Sequence, residues 1–186
     1  MFSKILIKLI DQAILPAVVI FASRILSLFL FAGLFDVTLT VDRSGIVFQS
    51  PRDYVLINSY SIMFMSAILC VAILHNLIKV YYFHDTHITP RLTARLFSMK
   101  LSSFIQSSMQ LYSEGVIWLA YSFLLTLVAG LMAFFGLCFY WVFFASLLLT
   151  VTSSVLFLLD IEKELVVDKK LKTHSDVILN LKSKLS

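Results

Sequence analysis

Residues 115–159 read GVIWLAYSFLLTLVAGLMAFFGLCFYWVFFASLLLTVTSSVLFLL, a run with no charged side chain between Glu114 and Asp160. As one helix it would be about 68 Å long at 1.5 Å per residue, more than twice the roughly 30 Å hydrocarbon core of a bilayer. It has to fold back on itself. Gly130 and Gly136 bracket the expected reversal, which divides the run into a third span near 112–133 and a fourth near 137–159 with a very short connection.

Working outward, two further apolar stretches give a first span at about 12–35 and a second at about 54–77. The expected fold is therefore an all-α integral membrane bundle of four transmembrane helices, a single membrane domain covering 1–186. Composition agrees. The chain is 60% hydrophobic and 14% charged, with a mean hydropathy of +0.94, too little polar surface for a water-soluble domain. The solvent, and first partner, is the lipid bilayer. The net charge of +4 does not indicate nucleic acid, because the basic residues flank apolar spans and form no dense stripe interleaved with aromatics. Cys70 and Cys138 fall inside apolar segments without a CxxC and read as small core residues. Lys4 and Lys8 faintly imitate a secretory signal, but Arg24 interrupts the apolar run and no small-x-small site closes it, so this segment is expected to remain as the first span.

Orientation follows from the basic residues. With the N-terminus inside, Lys4, Lys8, Lys79, Arg91, Arg95, Lys100, Lys163, Lys169, Lys170, Lys172, Lys182 and Lys184 are cytoplasmic, whereas Arg43 and Arg52 are outside. The aromatic residues agree: Tyr54, Tyr140 and Trp141 would mark the outer interface, and Tyr81, Tyr82, Tyr112 and Trp118 the inner one. This places the chain in a cell membrane, plasma or inner, with both ends cytoplasmic.

Three segments lie outside the spans. In the external loop, 36–53, Val37, Leu39 and Val41 alternate with threonines, Asp42 to Gly45 offers a turn, and Ile46 and Phe48 resume the alternation, the pattern of a small β-hairpin. In the cytoplasmic loop, 84–111, Thr89-Pro90 is a helix start, and Leu92, Leu96 and Met99 share one face flanked by Arg91, Arg95 and Lys100, as in an interfacial helix. Ser98, Ser102, Ser103 and Ser107 add small-xxx-small spacings. In the basic tail, 160–186, Ile161, Leu165 and Val166 extend the fourth helix. Thr173 to Asp176 then resembles a fresh cap before Ile178, Leu181 and Leu185, and such a basic amphipathic helix suits anionic lipid or a partner.

Arg24 is the one charge near a span centre, at a cost of about 2.5 to 3.5 kcal/mol on insertion scales. Ser23 and Ser27 extend it into a polar patch. Helical side chains lean toward their own N-terminus, so Arg24 is expected to reach toward the cytoplasmic side, to Glu114 or to lipid phosphate. Two other readings stand beside this one: pairing with an acidic residue in another protein's span, and anion binding in a transport pathway. His75 has no histidine at its depth on another span to share a haem, and His84 and His87, even with Asp85, are too loosely patterned for a metal site. Asn58, Ser59, Ser61, Ser66, Ser122, Thr126, Ser146 and Thr150 read as interhelical hydrogen-bond groups.

No HExxH, GxSxG, Walker-type loop or intramembrane carboxylate pair occurs, so neither an enzyme nor a cofactor is expected. A carrier would want acidic residues at depth and broken helices, and Pro16 alone does not supply them. The expectation is a non-catalytic accessory, assembly or anchoring subunit of a larger membrane complex, bound to other membrane proteins or to itself. The alternative is a small oligomeric transporter or channel component.

Overall fold

The computed structural model describes residues 2–43, 45–83, 98 and 108–185, in four helices and one hairpin. These are α1 (Phe2–Leu34), β1 (Leu39–Asp42), β2 (Gly45–Phe48), α2 (Pro51–Phe83), α3 (Ser108–Phe134) and α4 (Tyr140–Leu185). Each helix contains a stretch long and apolar enough to cross a membrane: Ile10–Leu34, Pro51–Lys79, Tyr112–Phe134 and Tyr140–Glu162. Helices are the form such stretches must take in hydrocarbon, because they bond every backbone N–H and C=O internally. The expected interfacial helix after Thr89, with its serine spacings and with His84, Asp85 and His87, lies outside the described residues.

Burial is inverted relative to a soluble bundle. Phe21, Leu26, Leu34, Leu124, Phe134 and Leu148 stand exposed, whereas Ser27, Asn58, Ser59, Ser61, Ser122, Thr126, Ser146, Thr150 and Ser153 are buried. Apolar side chains gain nothing from leaving lipid, so the interior is formed by groups that pack closely or bond to one another. The helix α2 packs on all three others, while α1 meets α3 only sparingly. Ile62, Met65, Leu69, Leu125, Ala129, Cys138 and Val142 form the central cluster, against which Trp118 and Tyr121 pack.

The helix ends have identifiable stops. At the close of α3 the Leu137 N–H donates to Met132 O (2.8 Å) and Gly136 N–H to Ala133 O (3.0 Å), with Gly136 at φ 71°, a Schellman motif with glycine in the left-handed position. Asp36, at φ 52°, occupies the same position after α1, where Val37 N–H donates to Ala32 O (2.9 Å). The reversal thus occupies residues 135–139 at Gly136 alone. Gly130 lies inside α3, where an added Cβ would stand 3.0 Å from the Phe143 ring, so it serves close approach and not the turn. The hairpin pairs Leu39 with Phe48 and Val41 with Ile46. It rests on α2 through the edge-on Phe48 and Tyr54 rings, 5.5 Å apart. Ser50 caps α2, its Oγ accepting from Arg52 N–H at 3.2 Å, with Pro51 in the first helical position.

Between the parallel helices α2 and α4 runs a ladder of small polar groups at nearly constant offset. The Ser59 Oγ accepts from Phe139 N–H (2.9 Å), Ser66 bonds Ser146 (2.8 Å), and Cys70 meets Ser153 (3.7 Å). Ser66 also donates to Ile62 O (3.0 Å). A hydroxyl has one proton, so Ser146 must be the donor to Ser66. On the α3 side Thr150 bonds Ser122 (2.7 Å) and Thr126 (2.8 Å). The helix α4 runs unbroken through Thr173 to Asp176, so these residues do not start a new helix. Capping residues are tolerated in a helix interior that continues on both sides.

Gly115 is buried, and a Cβ there would run into the Phe157 ring and stand 3.1 Å from the Asn76 amide. Phe157 is 1% exposed and edge-on to Tyr112 at 5.9 Å, which leaves it little room to give way. Gly115→Val is expected to cost about 1–3 kcal/mol by overpacking, read as a lowered unfolding midpoint in detergent, with Phe157→Leu recovering part of the loss.

Candidate functional site

The polar face of α1 meets α2 in the half of the bundle nearer the hairpin. Ser27 shares a hydrogen bond with Ser61, and Ser27 donates to Arg24 O at 2.9 Å, so Ser61 supplies the proton between the two hydroxyls. This pair sets the register of two antiparallel helices. With Ser27 level with Ser61, Arg24 is level with about residue 64, and Asn58 lies more than one turn further toward the hairpin end. Arg24 Nη2 nevertheless donates to Asn58 Oδ1 at 2.6 Å. The arginine therefore runs toward the hairpin end, opposite to the lean of its helix.

Glu114 is not its partner. It sits at the other end of the bundle, paired with Lys79 Nζ at 3.5 Å. Ser23, read in sequence as part of the same patch, is buried and donates back within its own helix to Val19 O (2.5 Å). Of the four residues marked out around Arg24, the structure brings Arg24 and Ser27 to the α1–α2 seam and leaves Glu114 elsewhere. Asn58 is the residue whose role was missed: it stood among the bonding groups of the second span without a link to Arg24. A signal existed, since it is the one carboxamide in the hairpin half of that span and can accept from a guanidinium while donating elsewhere.

Asn58 is fully buried, and its amide connects three elements. The Oδ1 takes Arg24 of α1, and Nδ2 donates to Leu137 O at 2.7 Å in the α3–α4 turn and approaches Met132 Sδ at 3.3 Å. The guanidinium is left incompletely satisfied. Among the described residues its Nη1 is buried with no hydrogen-bond acceptor, and the ion pair present is Lys79 with Glu114. Removing one partner from a buried polar pair costs more than the pair itself contributes, so this open donor is the chemically unusual atom of the fold.

Beside it lies a pocket of about 410 Å³ between α1 and α3, floored by α2. Arg24 and Asn58 stand at its hairpin end, and Ala17, Met65 and Tyr121 at the other. Its floor residues Ile62 and Met65 and the α3 residue Leu125 are buried, whereas Phe21 and Leu124 on the rim are 68% and 57% exposed. The pocket thus opens sideways, toward lipid. A guanidinium stays protonated in any such setting and is a donor suited to a carboxylate or phosphate oxygen; its Nη1 is unpaired but closed off by the surrounding side chains. The described residues include no group of three or more His, Cys, Asp or Glu that could hold a metal ion. His75 is exposed, Cys138 is buried beside Ser59 at 3.5 Å, and both cysteines are free thiols.

Compared with known protein families, with curated proteins and with solved structures, the chain gives no match.

The Asn58 geometry has a measurable consequence. Asn58→Leu removes the acceptor of a buried cation and strips Leu137 O of its donor, an expected loss of about 1–3 kcal/mol in detergent unfolding. The double substitution Arg24→Leu with Asn58→Leu should be less destabilised than the sum of the two single losses, because the stranded charge is gone. Strict additivity would show that the two side chains do not interact.

Proposed function

We propose that this chain is a non-catalytic multi-pass membrane protein whose work is binding within the bilayer, as an accessory, assembly or anchoring subunit of a larger membrane complex. The observation that carries the reading is the buried Nη1 of Arg24, which has no acceptor among the described residues. A buried cationic donor without an acceptor costs stability, and it is retained at least cost where an anionic group of another molecule completes it. Supporting this, Arg24 lines a pocket between α1 and α3 and stands apart from the closed polar seam of α2, α3 and α4, whose hydroxyls are bonded to one another. In the proposed arrangement both ends lie on the cytoplasmic side of a plasma or inner membrane, as the distribution of lysine and arginine argues, and the hairpin lies on the opposite side.

Native mass spectrometry of the full chain released in mild detergent tests this. A bound species at fixed stoichiometry is expected for the natural chain and for Arg24→Lys, and is expected to be lost with Arg24→Leu. An Arg24→Leu protein with the same bound species and the same cellular abundance would contradict the reading.

A further inference from the structure

The pocket beside Arg24 has a shape that narrows what can occupy it. Its lining runs from Ala17 to Arg24 on α1, Asn58 to Met65 on α2 and Tyr121 to Met132 on α3, roughly 10 to 16 Å of helix axis at 1.5 Å per residue. Half of a hydrocarbon core of roughly 30 Å is about 15 Å, the depth of one leaflet. The pocket is therefore about one acyl chain long. At about 410 Å³ it falls within the usual range of ligand pockets, roughly 300–1,000 Å³, and is far too small to seat a partner helix.

Its polarity is graded in the same direction. Apart from Arg24 and Asn58 at the hairpin end, the only polar atom its lining brings is the Tyr121 hydroxyl, which is turned away to donate to Ala13 O at 3.2 Å. The polar end is level with the α3–α4 turn, since Asn58 is bonded to Leu137 O, and the apolar span of α3 ends at Phe134. An arginine that reaches against the lean of its helix thus brings its charge to the depth at which head groups of that leaflet lie. Cation, boundary depth, leaflet-long apolar slot and lateral opening all lie in one place.

We propose that this pocket binds an anionic membrane lipid of the hairpin-side leaflet, one acyl chain lying between α1 and α3 and one head-group oxygen accepting from the Arg24 guanidinium, whose unpaired Nη1 comes within reach by a rotation of the side chain as the lipid enters. A second chain remains in the bulk lipid beyond the rim at Phe21 and Leu124. The inference rests on the proposed binding function and names the anionic group. Lipid bound there fills the seam where α1 meets α3 sparingly, so it completes the face that these two helices offer to a partner.

The test uses the full chain in phosphatidylcholine vesicles doped with phosphatidylglycerol that carries a photoactivatable diazirine on one acyl chain, with the crosslinked residues mapped by tandem mass spectrometry. Labelling is expected to concentrate on residues 17–21 and 121–128, and to fall about fivefold there with Arg24→Leu, the factor matching roughly 1 kcal/mol of head-group attraction. Ala17→Phe, which fills the deep end of the slot and leaves Arg24 in place, is expected to abolish that labelling, whereas Arg24→Lys retains it. Diazirine-bearing phosphatidylcholine serves as the neutral probe and should label the lipid-facing surface without enrichment in the pocket. Equal labelling by the two probes, or labelling indifferent to Arg24→Leu in a protein that elutes as a folded species, overturns the inference. A protein partner that is lost with Arg24→Leu but kept with Ala17→Phe, without enriched lipid labelling, also overturns it and leaves the broader binding function standing. If neither lipid nor partner responds to Arg24→Leu, both fall.

Discussion

The bundle depends on one carboxamide. Asn58 offers an acceptor to Arg24 and a donor to Leu137 O, so a single buried side chain joins α1, α2 and the α3–α4 turn. In water such bonds would exchange with solvent at little net cost. In hydrocarbon an unmet polar group has no substitute partner, and the amide can satisfy both neighbours in one orientation only. That requirement sets how far along α2 the turn sits and which way the arginine extends, and so places Arg24 on the wall of the lateral pocket.

Elsewhere the helices are held by closeness more than by bond strength. Interhelical hydrogen bonds in membranes average about 0.6 kcal/mol each, so the Ser66–Ser146 and Ser122–Thr150 contacts specify register without supplying most of the stability. Dispersion between well-fitted surfaces supplies more, and small residues make the fit possible. Gly115 admits Phe157 and Gly130 admits Phe143, bringing α3 and α4 to short separation. Among the described residues no glycine draws α1 and α3 together in this way, and it is between these two helices that the pocket lies. The same tightness leaves the aromatic rings of Phe31, Phe35, Tyr60 and Trp141 clustered at the hairpin end, where α1, α2 and α4 meet the connecting segments.

Much of the architecture could be read from the chain because lipid imposes few choices. An uncharged run of the length of 115–159 must reverse, and alternation around Asp42 to Gly45 must pair as strands if it is ordered at all. The finer points depended on tertiary partners. Gly130 and Gly136 look alike in sequence, but one faces Phe143 and the other takes a left-handed turn. The side-chain lean of a helix pointed Arg24 toward Glu114, yet Glu114 is level with Lys79, and a carboxamide in the hairpin half of α2 outweighed the lean. Thr173 to Asp176 carry the residue types of a cap, which a continuing helix absorbs. The pocket itself was not legible, since it arises from three helices whose lining residues are ordinary apolar ones apart from Arg24 and Asn58.

The docking of the α3–α4 turn on α2 underlies the placement of Asn58 and of Arg24, and the native Cys138 provides a direct probe. Its Sγ lies 3.5 Å from Ser59 Oγ, close enough for a disulfide if that oxygen were sulfur. With Ser59→Cys in otherwise natural protein, mild oxidation in membranes is expected to link the two residues within one chain, seen as a tryptic crosslink that disappears on reduction and in the Cys138→Ala background. Two thiols that remain free and alkylatable in folded protein would contradict the docking, and with it the position assigned to Arg24.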